Sequence, residues 1–114
     1  MGTEELQVNA RKASVLLKAM SNERRLMILY YLAHGEKTVG ELEGLIDLSQ
    51  SALSQHLAKL RRDRLVRTRR KAQSIHYSLN GGDAIAVLST LRSLYTVPGA
   101  RASAPPSELS GALA

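Results

Sequence analysis

The chain of 114 residues has no cysteine, no tryptophan and no phenylalanine, and only three prolines. Without cysteine it cannot form disulfides, bind zinc through thiolates or sense oxidants through a thiol. No stretch reaches the roughly 20 apolar residues of a membrane-spanning helix, and the first residues are acidic where a signal peptide would be basic and then apolar. We therefore expect a cytoplasmic protein with no membrane partner.

The usual signatures of an enzyme are missing as well. The sequence has no glycine-rich phosphate loop, no nucleophile motif and no pair of carboxylates at matched spacing. It has instead an excess of positive charge, with 16 lysines and arginines against 10 acidic residues and a net charge of +6. This balance is typical of proteins that approach a polyanion, and composition alone leaves DNA, RNA and anionic membranes open.

Hydrophobic periodicity predicts four helices in the first part of the chain. The spacing of apolar residues places a first helix over residues 4 to 20 and a central, buried helix after Ser21, its expected N-cap. A capping box that begins at Thr38 opens a short third helix. Ser49 then caps a fourth helix that ends near Asp63, so that a turn of about three residues separates the two.

From Leu65 onward the apolar residues alternate at spacing two, which predicts a hairpin whose tip covers residues 69–74. A last helix follows over residues 83 to 97, and residues 99–114, rich in alanine, serine and proline, are predicted to be disordered. The fold class is therefore α+β, mostly α: a winged helix-turn-helix of four helices, two strands and a fifth helix. Residues 1–98 would form its DNA-binding and dimerisation domain.

The fourth helix and the hairpin carry the candidate DNA contacts. Turning 100° per residue, the helix buries three leucines on one side and exposes amides and hydroxyls on the other, which suits the reading of base edges. The candidate base readers are Gln50, Ser51, Ser54 and Gln55. The candidate contacts to the DNA backbone, from the helix end and the wing, are Lys59, Arg62, Arg67, Arg69, Arg70 and Lys71.

The segment LSQSALSQHLAKLRRDRLVRTRRKAQSIHYSL resembles the recognition helix and wing of the ArsR family of bacterial repressors. The resemblance begins at the first helix and includes MSNERRLMILYYL and the TVGEL entry to the third helix. The resemblance extends through Tyr95. It implies a sequence-specific repressor that acts as a homodimer on a partly palindromic operator, with its first and last helices paired across the two-fold axis. The interface residues would then be Leu6, Ala10, Ala13, Leu17, Leu88, Leu91, Leu94 and Tyr95.

The sequence departs from the family's metal-sensing patterns. Thr38 and Gly40 stand where many members carry a Cys-x-Cys pair, and Ile85 stands where others place the histidine of an Asp-x-His pair. The three histidines lie on different predicted elements, so we assign no metal and no cofactor. Two alternatives remain: a nonspecific architectural DNA-binding protein, and the same fold responding to an unknown small-molecule or protein effector.

Overall fold

The computed structural model describes residues 2–95, so the predicted disorder of residues 99–114 lies outside the described part of the chain. Five helices and three strands follow in order: α1 (Thr3–Met20), α2 (Glu23–Leu32), β1 (Lys37–Thr38), α3 (Val39–Leu45), α4 (Gln50–Arg62), β2 (Val66–Lys71), β3 (Ser74–Leu79) and α5 (Asp83–Tyr95). The winged helix-turn-helix prediction is confirmed. The prediction of two strands was wrong by one, because β1 adds to the hairpin and gives an antiparallel sheet of order β1-β3-β2.

Side-chain caps fix the starts of three helices. The capping box before α3 forms as predicted, with the Thr38 hydroxyl accepting from the Glu41 N–H and the Glu41 carboxylate accepting from the Thr38 N–H. Ser49 caps α4, also as predicted. The expected cap of α2 was wrong by one residue: the Asn22 side chain accepts from the N–H groups of Arg24 and Arg25. Asn22 is the N-cap because its own backbone is extended and its side-chain oxygen accepts from two free N–H groups.

The core lies where α2, α3 and α4 meet the sheet and the start of α5. The predicted leucine stripe of α4 is fully buried, with Leu53, Leu57 and Leu60 at 0 to 1% exposure. Burial of each such side chain contributes about 1.5 to 3 kcal/mol, so this stripe fixes the helix firmly against the protomer. Its opposite face is left for solvent or a partner.

The end of α4 determines how the wing leaves it. The N–H of Leu65 donates to the Leu60 carbonyl and that of Arg64 to the Arg61 carbonyl, which is a Schellman motif. Arg64 occupies its left-handed position, with a φ of 64° that usually favours glycine. Asn80 holds the motif from the far end of the hairpin, because its amide donates to the Arg64 carbonyl at 3.0 Å.

The hairpin of β2 and β3 pairs Val66 with Leu79 at one end and Lys71 with Ser74 at the other. The predicted tip of residues 69–74 was therefore too long, since residues 69–71 belong to β2 and the loop is reduced to Ala72 and Gln73. Such a short connection keeps the basic end of β2 extended and regular. The wing is thus a ribbon with a tight turn.

Candidate nucleic-acid interface

The exposed face of α4 brings together the four residues predicted to read bases. Gln50, Ser51, Ser54 and Gln55 are all exposed, and at 100° per residue they lie within about 140° of the helix circumference. Their amides and hydroxyls can both donate and accept hydrogen bonds. The face begins directly at the Ser49 cap, so its first turn projects from the protein surface.

Basic side chains continue this face at the end of α4. Arg61 and Arg62 are exposed, and neither has an ion-pair partner among residues 2–95. Lys59, which we expected to contact DNA, forms an i,i+4 ion pair with Asp63 at 3.1 Å. Such surface pairs are weak, and Lys59 therefore remains available to a phosphate at small cost.

The wing presents its cations on two faces. Because side chains alternate along a strand, Arg67, Arg69 and Lys71 point to one face of β2 and Arg70 to the other. All four are exposed. Within the described chain, Arg67, Arg70 and Lys71 have no ion-pair partner, so their charges are free to meet phosphates.

Arg69 is engaged within the protein. Its Nε and one terminal nitrogen donate to the two carboxylate oxygens of Glu36, both at 2.7 Å. The hydrogen bond and the charge of Arg69 lower the pKa of Glu36, and the same contact raises the pKa of Arg69. His76, which pairs with Arg69 across the strands, lies 3.6 Å from Glu36 through Nδ1. This fork ties the wing to the turn before β1, a contact that the sequence did not predict.

Apolar side chains remain uncovered on α1 and at the end of α5. Leu6, Leu17, Leu94 and Tyr95 are 55 to 80% exposed, and the small predicted interface residues Ala10 and Ala13 are exposed beside them. Leu91 is half-buried. Leu88 differs from the expectation of an exposed stripe, because it lies in the core of the protomer at 8% exposure.

A second apolar stripe lies on α1, and it was not predicted from the sequence. Val8 and Val15 are 46 and 47% exposed and lie nearly opposite Leu6 and Leu17 around the helix axis. Their spacing of seven residues is itself a helical signal. With apolar groups exposed on two sides, α1 offers more hydrophobic surface than a single stripe would.

Two of the histidines contact a neighbouring helical residue through Nδ1. His34 Nδ1 lies 2.9 Å from the Tyr30 carbonyl one turn earlier, and His56 contacts Arg25. Within residues 2–95 no group of three or more histidine, aspartate or glutamate side chains could hold a metal ion. Nor is any helix in that range long and apolar enough to span a membrane.

Comparison with known proteins gives one consistent family. The model of the arsR family of bacterial regulatory proteins matches residues 22–68. The transcriptional activator HlyU of Vibrio cholerae is 54% identical over 83% of this chain and 88% of its own length. The nodulation protein NolR of Rhizobium meliloti is 46% identical over 80% of this chain and 75% of its own.

Comparison with solved structures gives the same family. Reduced HlyU from Vibrio cholerae superposes with a TM-score of 0.76 at 53% identity, covering 82% of this chain and 99% of that structure. The repressor BigR from Xylella fastidiosa gives a TM-score of 0.77 at 36% identity, covering 85% and 99%. The similarity thus spans the helices, the wing and both terminal helices.

Proposed function

The chain belongs to the ArsR family of DNA-binding transcription regulators and is not an enzyme, and from this premise we propose that it is a repressor that binds a partly palindromic operator as a homodimer in the cytoplasm. The carrying observation is the exposed polar face of α4, flanked by unpaired cations on its last turn and on the wing. This combination separates a surface that can read sequence from one that only attracts phosphate.

The first turns of α4 enter the major groove in this proposal. A glutamine amide can pair with N6 and N7 of adenine, and serine hydroxyls can donate to or accept from any base edge. Gln50, Ser51, Ser54 and Gln55 are the proposed readers, and each is exposed in the protomer.

Phosphate contacts then come from cations that have no partner inside the protein. Arg62, Arg67, Arg70 and Lys71 meet this condition among the described residues, and Lys59 joins them when its weak pair with Asp63 opens. Arg69 is removed from the proposed backbone contacts. Its guanidinium already has both carboxylate oxygens of Glu36 as acceptors, so the proposal leaves Arg69 in this ion pair.

Dimerisation through α1 and α5 follows from the apolar surface that the protomer leaves open. Leu6, Ala10, Ala13 and Leu17 on α1 and Leu91, Leu94 and Tyr95 on α5 are the proposed interface, to which Val8 and Val15 are added. Leu88 supports this surface from beneath, since it packs in the core. A two-fold dimer presents two α4 helices and therefore reads two half-sites about one helical turn of DNA apart.

The proposal is tested by recovering the operator and then removing one reader. Duplexes that bind the purified protein are selected from a random library, and the recovered sequences are expected to contain an inverted repeat. Gln55→Ala should then weaken operator binding by about 1 to 3 kcal/mol while scrambled duplexes lose little. Gln7→Ala, an exposed glutamine on α1, is the matched control and should bind as wild type.

Two results would contradict the proposal. Equal losses on operator and scrambled duplexes for Gln55→Ala would support the nonspecific architectural alternative. Recovered sequences without a shared half-site would do the same. Repression itself is tested by transcription from a promoter that overlaps the selected operator: added protein should reduce the transcript, whereas an increase would indicate an activator, as the name of HlyU states for that protein.

An effector-responsive version of this function is favoured by one feature. In the protomer, an apolar groove of about 380 Å³ runs between α2 and α5, lined by Leu26, Met27, Tyr30, Leu88, Leu91, Arg92 and Tyr95. Leu91 and Tyr95 also belong to the proposed dimer interface, so the groove borders that interface in the proposed dimer. A lining of this kind favours the binding of apolar ligands. Screening of small apolar compounds for release of the operator complex tests this role, and saturable release that a groove substitution such as Met27→Arg abolishes would support it.

A further inference from the structure

Arg25 of α2 contacts two other helices at once. Its Nε donates to the Ala19 carbonyl at 2.6 Å and one terminal nitrogen donates to the Lys18 carbonyl at 3.3 Å, both in the last turn of α1. The other terminal nitrogen lies 3.4 Å from Nδ1 of His56 on α4. One side chain therefore joins the proposed dimerisation helix to the proposed recognition helix.

The contact with α1 lies at the turn where this helix buries its side chains. Ala19 and Met20 are its only buried residues in the described chain, and Leu16 is half-buried, whereas the preceding turns are exposed. The last turn is therefore the part of α1 that packs most closely on the protomer. A guanidinium suits this position, because the free carbonyls at a helix C-terminus carry partial negative charge.

The contact with α4 requires a neutral histidine. Partial burial lowers the pKa of His56, and the charges of Arg25 and Arg24 lower it further. The neutral ring can leave a lone pair on Nδ1 to accept from the guanidinium, which a protonated ring cannot do. His56 lies on the flank of α4 between the buried leucines and the exposed readers, so contact there orients the helix without entering the groove.

We propose that Arg25 is a positioning residue that fixes the angle between α1 and α4 and thereby sets the half-site spacing that the dimer accepts. This inference rests on the proposed function, since it needs a dimer and an operator with two half-sites. It assigns Arg25 a role in specificity through its contacts with α1 and α4.

The geometry makes spacing sensitive to this angle. An α-helix of 18 residues is about 27 Å long, so a tilt of about 10° at its last turn moves its far end by about 5 Å. One base pair shifts a half-site by about 3.4 Å and turns it by about 35° around the DNA axis. A loosely held α1 would thus let the two recognition helices adapt to a wrong spacing.

The experiment compares one operator with variants whose half-sites are one or two base pairs closer or further apart. Arg25→Lys keeps the charge but loses the three guanidinium nitrogens that reach α1 and α4. The ratio of affinities between the best and the shifted spacing should fall by about tenfold, while affinity for a single half-site stays as in wild type. Arg24→Lys is the matched control. The Arg24 side chain makes no hydrogen bond or ion pair among the described residues and acts on His56 only through its charge, which lysine keeps, so this variant should keep the wild-type ratio.

His56→Ala provides a second variant, which removes the arm on α4 and leaves the contacts to α1. It should lower the ratio of affinities between the best and the shifted spacing. Circular dichroism of each variant verifies that it folds. An unchanged ratio in Arg25→Lys would overturn the proposal, as would an unchanged ratio in His56→Ala if Arg25→Lys does not fold. Equal losses on single half-sites and on all spacings would also overturn it. Wild-type protein that shows no sequence preference at all would instead overturn the proposed function.

Discussion

Helices α1 and α4 are both amphipathic, yet they use their apolar stripes in opposite ways. The leucines of α4 are buried within the protomer, whereas Leu6 and Leu17 of α1 remain more than half exposed. The helix that is fully packed presents a rigid polar face, and the helix that is poorly packed presents an apolar one. We infer that the buried leucines of α4 hold its polar recognition face in place. We infer also that the exposed apolar residues of α1 bind a second copy of the chain.

The largest effect that separates the two stripes is on the stability of the protomer. Leu57→Ala removes a fully buried side chain and should lower the free energy of unfolding by about 2 to 5 kcal/mol at every protein concentration. Chemical denaturation of the variant and wild type, at several protein concentrations, measures this difference. A loss that grew or shrank with concentration would place Leu57 at an interface between protomers.

Substitution in the α1 stripe should act on assembly instead. Leu17→Asp places a charge in the proposed interface and should raise the dimer dissociation constant at least about 100-fold, equivalent to roughly 2.7 kcal/mol. Sedimentation measures the dissociation constant. Gln73→Asp, which adds the same charge at the exposed turn of the wing, is the control and should change it little. A monomeric wild-type protein at micromolar concentration would contradict the interface altogether.

The caps of the two helices repeat the contrast at a smaller scale. Ser49 accepts a hydrogen bond at the start of α4, whereas Gly2 at the start of α1 offers no side chain. Ser49→Ala should therefore cost about 1 kcal/mol of stability, and Ser49→Gly only a few tenths. Thermal unfolding of both variants tests this order. Wild-type stability in Ser49→Ala would show that the Ser49 hydroxyl does not stabilise the helix.

The same contrast explains what the sequence could and could not predict. The burial of Leu53, Leu57 and Leu60 was predictable, because their helical spacing and the Ser49 N-cap are both signals within one short stretch of sequence. The partner of Arg69 was not predictable, because Glu36 lies 33 residues away and reaches the wing only once β1 has joined the sheet. The two-residue strand β1 has too few side chains to show a period. Leu88 and Leu94 share one spacing pattern, and only the packing of α5 on the core separates the buried residue from the exposed one.

The smallest expected effect concerns the paired and unpaired cations of the wing. Each phosphate contact contributes about 0.9 to the log-log slope of DNA affinity against salt. Arg70→Ala removes an unpaired cation and should reduce this slope by about one unit, on operator and scrambled duplexes alike.

Arg69→Ala should leave the slope unchanged, because the guanidinium of Arg69 is held by Glu36 and releases no counterion on binding. Its effect should be on the wing itself, where loss of the fork leaves β2 less firmly tied to the turn before β1 and costs at most about 1 kcal/mol of stability. Glu36→Gln provides the decisive control, since it frees Arg69 without removing it. If the fork keeps Arg69 from DNA, Glu36→Gln should raise the salt slope by about one unit and strengthen nonspecific binding. A slope that falls in Arg69→Ala as it does in Arg70→Ala would show instead that the fork opens on DNA and that both arginines meet phosphates.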